Sequence, residues 1–271
     1  MRPDGYHDIR SLVMPISLSD DISFSSSGGI SLDVESSGEC DLTKVGPVEG
    51  NLAYRAAVLL KRETGCKDGV AIRLVKRIPA GAGLGGGSAD GAAVLVGLND
   101  FWRLGMSRDE LAVLGAELGS DVPALALGGC VLMEGRGERV ASEGCSGPLD
   151  IVLVFPGVFT STAEVYRNCV PQLTNGGQIV DNMRRALSRG DASAVAAALH
   201  NGLAAAAESL HPEIARAREA LAAAGALGSS MTGSGSCVFG LARNAGHAVE
   251  IAHRLAADGF KARAARTCPV M

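Results

Sequence analysis

The spacing of apolar and polar positions changes several times along the chain, and each change predicts an element. Residues 9–24, I-R-S-L-V-M-P-I-S-L-S-D-D-I-S-F, alternate loosely and predict strand, broken at Pro15 and again at the acidic pair Asp20-Asp21. I-S-L-D-V-E at 30–35 predicts a second strand, and the polar, glycine-rich residues 36–50 predict loop. Apolar residues then recur at helical spacing over 51–63, with Gly65 placed to stop the helix. A strand over 70–78, a helix over 89–102 and a further helix to about residue 118 follow. Ser107 and Glu110, three apart, form a capping-box pattern at the start of that last helix. After G-S-D-V-P at 119–123 come a short helix and a hairpin around Gly135-Arg136-Gly137.

In the second half an unbroken apolar run, I-V-L-V-F, predicts a buried strand. Alanine-rich helices are predicted at 178–188, 191–209 and 212–224. A strand, a glycine and serine turn at 233–236, a second strand, a helix over 245–258 and a closing strand over 260–266 complete the pattern. Strands and helices mix without a regular βαβ rhythm, which predicts an α+β fold in two lobes, 1–147 and 148–271, joined at the polar residues 142–148.

One stretch stands apart. Residues 79–93 read P-A-G-A-G-L-G-G-G-S-A-D-G-A-A, with five glycines between Gly81 and Gly87, set between a predicted strand and a predicted helix. Lacking Cβ atoms, glycines let the backbone come close to a ligand, and the following helix start offers free N–H groups and the positive end of its dipole. That combination suits an anion such as a phosphate chain; the competing reading is a glycine turn that serves packing alone. No lysine follows the glycines, so a Walker loop is absent. Gly81, Gly83 and Gly86 satisfy a literal G-x-G-x-x-G, but the preceding segment carries Arg73, Lys76 and Arg77, and Asp100 and Asp109 fall in helix or turn sequence. The dinucleotide reading is therefore second best.

Composition narrows the function. With 271 residues, 47% of them apolar, the chain can bury a substantial core, and its formal charge of −4 without a cluster of Lys and Arg argues against a nucleic-acid partner. Seven cysteines with no C-x-x-C pair point away from a disulfide framework or zinc ribbon and toward the reducing cytoplasm. No apolar leader or spanning segment is seen, so neither export nor a membrane partner is expected. His200, His211, His247 and His253 lack metal-ligand spacing, and no protein-built metal site is expected.

Taken whole, P-A-G-A-G-L-G-G-G-S-A-D resembles the phosphate loop of the GHMP small-molecule kinases. Three other segments match that family in order: R-P-D-G-Y-H near the start, G-S-D-V-P at 119–123, and M-T-G-S-G-S-C-V-F at 231–239. The resemblance covers the chain from Arg2 onward. It implies a ribosomal-protein-like N-terminal lobe and a ferredoxin-like C-terminal lobe, with ATP and Mg²⁺ as cofactors and a monomer or homodimer. R-P-D-G-Y-H is typical of the branch that phosphorylates a cytidine diphosphate-linked methylerythritol at its 2-hydroxyl. Another GHMP kinase and a catalytically silent nucleotide-binding protein are the alternatives.

The resemblance also implies roles. Pro79, Gly81, Gly83, Leu84, Gly85, Gly86, Gly87 and Ser88 would hold the phosphates, and Asn51, in G-N-L-A-Y-R, would start a helix near the adenine. Asp121 matches the aspartate assigned as catalytic base; on its own it reads as a helix cap. Tyr6, His7 and Tyr166 would recognise cytosine, since a base can be sandwiched between rings while an imidazole reads its edge. Gly233, Ser234 and Gly235 would form a turn packed against the phosphate loop at the border of the active centre. Family members carry an earlier P-A-K-[IL]-N-L segment with a lysine for the acceptor site, whereas here Met1 abuts R-P-D-G-Y-H. A start at an internal position, or a truncated sequence, is the expectation.

Overall fold

The computed structural model describes residues 7–38, 40–169 and 176–269. The chain divides into two compact units. Of the described residues, the first takes those in 7–13, 18–80 and 85–142, and the second those in 14–17, 81–84 and 143–269.

The first unit holds two small sheets. Strand β1 (Ile9–Val13) pairs antiparallel with β5 (Val131–Gly135), which pairs in turn with β6 (Arg139–Ser142). In the other sheet β4 (Gly69–Lys76) is central, antiparallel to β2 (Asp21–Ser27) and parallel to β3 (Ile30–Ser36). The alternation of β4 sends Val70, Ile72 and Leu74 inward, onto helices α1 (Leu52–Thr64) and α2 (Gly86–Phe101). Small residues on α1, Ala53, Ala56 and Ala57, let the helices share one core with Leu95 and Leu98 of α2. Helix α1 starts on an Asn51 cap and stops at Gly65, which takes the left-handed φ of 66°. Helix α3 (Arg108–Gly115) has both halves of the predicted Ser107–Glu110 capping box. A short helix, α4 (Val122–Leu127), follows G-S-D.

The second unit is one antiparallel sheet in the order β10 (Lys261–Arg266), β7 (Asp150–Phe155), β9 (Val238–Leu241), β8 (Ser229–Met231). Numbered within the unit that is 4-1-3-2, with α9 (Pro212–Ala223) leading into the second strand and α10 (Ala245–Ala257) joining the last two, which is the ferredoxin-like arrangement. Helices α5 (Thr162–Asn168), α6 (Gly176–Arg189), α7 (Ala192–Ala197) and α8 (Ala204–Leu210) complete it. Residues 14–17 are laid against its last strand: Ser17 N–H donates to the Arg266 carbonyl at 2.8 Å, and Cys268 N–H to that of Pro15 at 2.7 Å.

Three elements differ from the periodicity. The predicted helix over 191–209 is two helices. Asn201, in the break, accepts from Leu203 N–H at 2.9 Å and donates to the carbonyls of Met231 and Gly233 at 2.7 and 2.9 Å, so its side chain serves neighbours outside the helix. Helix α2 begins at Gly86, three residues earlier than predicted, because Gly85 turns the chain with φ 66° and the glycines beyond it accept helical angles. The loop at 36–50 contains two single turns of 3₁₀ helix, at Leu42–Lys44 and Val48–Gly50.

Candidate active site

The glycine-rich stretch links β4 to α2, and its glycines have different reasons to be glycine. Gly81 has φ 72°, and a Cβ there would sit 2.3 Å from the ring of Phe159. Gly83, also at φ 72°, would place one 2.2 Å from the Gly235 carbonyl oxygen. Gly85 is the left-handed cap of α2, and a Cβ on Gly86 would press on Ile78 at 2.9 Å. Packing and backbone angle therefore account for four of the five. Gly87 is the exception: it has no left-handed φ, and an added Cβ would meet nothing within 4 Å. Exposed, on the first turn of α2, it leaves backbone bare toward solvent, as approach by an anion requires. The opening N–H groups of α2, at Gly86, Gly87 and Ser88, have no acceptor within the helix, and Gly85 has no side chain to cap them. Ser88 is half-buried in that first turn, so it is not the N-cap; Pro79 and Leu84 are half-buried along the loop.

Within the second unit, residues 81–84 meet the turn at Gly233-Ser234-Gly235. Thr232 Oγ1 donates to the Gly83 carbonyl and Cys237 N–H to that of Ala82, both at 3.0 Å. Gly233 and Gly235 have φ of 55° and 87°, and the Ser234 hydroxyl is 2.8 Å from that of Thr162. Asn201 braces the turn from behind through the Gly233 carbonyl; the periodicity gave no hint of this role, and only its polar interruption of an alanine-rich run could have marked it.

Asp121 precedes α4 and is its N-cap by position, but its side chain makes no capping hydrogen bond. No hydrogen bond or ion pair engages its carboxylate among the described residues. The residue keeps solvent access, yet the protein around it desolvates the carboxyl and raises its pKa above the ordinary aspartate value. Its position is held from two sides: Ser120 by the hairpin at Gly137, where a Cβ would lie 2.5 Å from the Ser120 oxygen, and Val122 by Gly115. One helical turn on, Leu125 carries a methyl that an alanine Cβ at residue 85 would approach to 3.9 Å. The helix begun by Asp121 thus rests against the start of α2. An unpaired carboxylate that is no cap, in protein that raises its pKa, is suited to accept a proton.

Asn51 caps α1 by accepting from Ala53 N–H at 2.9 Å, which occupies its carbonyl oxygen. His7 lies half-buried just before β1, and Tyr166 half-buried on α5. Tyr6 lies outside the described residues.

Sequence reasoning assigned no role to a buried charge cluster at the base of the loop. The Lys76 ammonium donates to the carboxylates of Asp20 and of Asp90, the latter at 2.6 Å. The other Asp20 oxygen accepts from the backbone N–H groups of Arg77 and Ile78, the second at 2.8 Å. Lys76 and Asp90 are 5% and 4% exposed. Burial pushes the Asp90 carboxyl up to about 7, with Asp20 adding to the rise and Lys76 offsetting only part of it. Cys237, in the third motif, is pushed up to about 12 by burial, which makes it an inert thiol, and no disulfide forms among the described residues. A groove of about 360 Å³ on the β2–β4–β3 sheet is lined by Ser23, Asp33 and Arg73 and contains none of these candidate residues; Arg73 is already held by Glu35. No helix among the described residues is long and apolar enough to cross a membrane.

Comparison with known proteins adds independent weight. Residues 51–129 match the GHMP kinases N terminal domain and residues 183–261 the GHMP kinases C terminal domain. A 4-diphosphocytidyl-2-C-methyl-D-erythritol kinase of Pelotomaculum thermopropionicum is 46% identical over 255 residues, which span 93% of this chain and 87% of that one. One of the same name from Symbiobacterium thermophilum is 46% identical, spanning 89% and 84%. A crystal structure of 4-(cytidine 5'-diphospho)-2C-methyl-D-erythritol kinase superposes with a TM-score of 0.79 at 36% identity, over 98% of this chain and 92% of that one. A homoserine kinase from Cytophaga hutchinsonii, 20% identical, shares the fold with a TM-score of 0.75 over 96% and 94%.

Proposed function

The chain belongs to the GHMP kinase family, and from that membership we propose that it transfers the γ-phosphoryl group of ATP to the 2-hydroxyl of 4-diphosphocytidyl-2-C-methyl-D-erythritol, a step of non-mevalonate isoprenoid precursor synthesis. ATP is the phosphoryl donor of this family. The acceptor assignment is supported by relatives of that name at 46% identity across most of both chains.

The observation that carries the chemistry is Asp121: a carboxylate with no cap to make, placed one helical turn before a residue that packs on the start of α2. In this reading the opening N–H groups of α2 and the bare backbone at Gly87 bind phosphate oxygens, and Asp121 takes the proton of the attacking hydroxyl as the new P–O bond forms. Mg²⁺ is the cation expected with ATP, and the Ser88 hydroxyl, on the first turn of α2, would be one oxygen available to it beside phosphate oxygens and water. When bound, the cation offsets charge on the β and γ oxygens. Tyr6, His7 and Tyr166 are the assigned cytosine contacts, on the strength of the motif match. We assign the reaction to the cytoplasm, a reading supported by the scattered cysteines with no C-x-x-C pair.

Asp121→Asn keeps the shape and removes the base. Turnover is expected to fall by about 10²–10⁴-fold with ATP affinity unchanged; undiminished turnover would remove Asp121 from the mechanism. His7→Ala should raise KM for the cytidine-bearing alcohol and leave KM for ATP alone, and an equal loss for both substrates would reject the cytosine role.

A further inference from the structure

The glycine loop proposed to contact the nucleotide is closed at its base by the buried charge cluster, to which the proposed chemistry gives no step. Its entry is fixed by Asp20, whose carboxylate accepts from the N–H groups of Arg77 and Ile78. Its exit is fixed by Asp90, on the second turn of α2, 2.6 Å from the Lys76 ammonium. Lys76, the last residue of β4, joins the two carboxylates, and Ile78 touches Gly86 just above them. Strand end, loop entry and helix start are thereby linked through one buried ammonium. Groups so far from water are seldom retained without a partner, and here every one has a partner.

We propose that Asp20, Lys76 and Asp90 form a clamp that positions the glycine loop for ATP, with Asp90 as the member that fixes the start of α2. A clamp of this kind aims the bare N–H groups at one point in space, so that binding the phosphates does not require the loop to be ordered at that moment. In this proposal the three residues are positioning residues that act through the loop, since their contacts are with one another and with the backbone at 77 and 78. This assignment rests on the kinase reading for its consequence, but its geometry is independent of which alcohol is phosphorylated.

The charge count indicates which substitution is informative. Two carboxylates face one ammonium, so removing Asp90 leaves Lys76 and Asp20 as a balanced pair, whereas removing Lys76 would leave two buried carboxylates facing each other. Asp90→Ala is therefore the test and Asp90→Asn its conservative counterpart, since an amide oxygen can still accept from Lys76. ATP affinity is measured by calorimetry on the full chain without acceptor, with melting followed by circular dichroism. Asp90→Ala is expected to weaken ATP at least about 10-fold, by loss of preorganisation, and Asp90→Asn to restore it to within about 3-fold of the parent. In turnover assays the loss should fall on KM for ATP and spare KM for the alcohol; a role in stability alone would depress melting and leave ATP affinity in place. Parental ATP affinity in Asp90→Ala, or an equal loss in Asp90→Asn, overturns the clamp. Should Asp90→Ala fail to fold, Asp90→Thr, whose hydroxyl stops short of Lys76, takes its place against the same two outcomes. Absence of turnover in the parent with the cytidine-bearing alcohol would count against the acceptor assignment and leave the binding comparison intact.

Discussion

Replacing Gly83 with alanine would put a methyl group 2.2 Å from the carbonyl oxygen of Gly235 and 2.8 Å from that of Thr232. A carbon and a carbonyl oxygen approach to about 3.3 Å at the closest, so the turn at 233–235 has to retreat by roughly 1 Å. Backbone lies on both sides of the clash, so no side chain can swing aside. Retreat stretches the two hydrogen bonds that tie residues 82 and 83 to Cys237 and Thr232, each worth about 1 kcal/mol net. Holding alanine at φ 72° adds about 1–2 kcal/mol. The sum is roughly 3–4 kcal/mol, which at about 2–4 °C per kcal/mol lowers the melting temperature by roughly 6–16 °C. Gly87→Ala, four residues on, is the matched control. With nothing within 4 Å and a helical position, its melting should stay level or rise slightly, since alanine is the better helix former by up to about 1 kcal/mol. Its KM for ATP should nevertheless climb about 10-fold or more, an energy of about 1.4 kcal/mol, because the methyl stands where phosphate oxygens approach the backbone. Thermal melts followed by circular dichroism and ATP-dependent initial rates read both variants. Parental melting in Gly83→Ala would refute the packing argument. Parental ATP affinity in Gly87→Ala would return the glycine run to a turn that serves packing alone.

Two more outcomes can be checked. Asn201→Ala removes the acceptor of Leu203 N–H ahead of α8 and two bonds donated to the 231–233 backbone, and should cost about 1–3 kcal/mol by chemical denaturation together with a rise in KM for ATP, as the turn behind Gly83 loosens; an unchanged denaturation midpoint would show the brace to be idle. Because burial raises the Asp90 carboxyl to about 7, the folded state binds a proton that the unfolded chain releases near pH 4. Stability from this group is complete below that value and is lost as pH rises toward and through 7, a direction that Asp121 shares. Asp90→Asn should flatten the melting temperature between pH 5 and 8, and a slope as steep as the parent's would assign the titration elsewhere.

Where the sequence carried a periodic signal, the structure follows it except at the helix predicted over 191–209 and the start of α2. The inward residues of β4, the Ser107–Glu110 capping box and the Gly65 stop are local, and each could be read from a few consecutive letters. Motif order brought out the glycine loop and Asp121, but could not say which glycines serve packing and which leave space, because that depends on Phe159 and Gly235, residues more than seventy positions away. The clamp was hidden for the same reason. Lys76 and Asp90 look like ordinary charges flanking a loop, and only tertiary contact turns them and Asp20 into one buried group. Asn201 misled the helix prediction because alanine propensity outweighs one polar residue until that residue finds partners thirty positions downstream.

The short stretch at 14–17 sets an order of assembly. Ser17 needs the carbonyl of Arg266, and Ile16 bridges to Thr267, so some 250 residues of chain must be synthesised before this early segment meets its neighbours. The ferredoxin-like half is therefore complete only when a border strip made some 250 residues earlier reaches it. Any scheme that severs the chain at residue 142 to obtain that half alone would leave the strip behind with the wrong fragment.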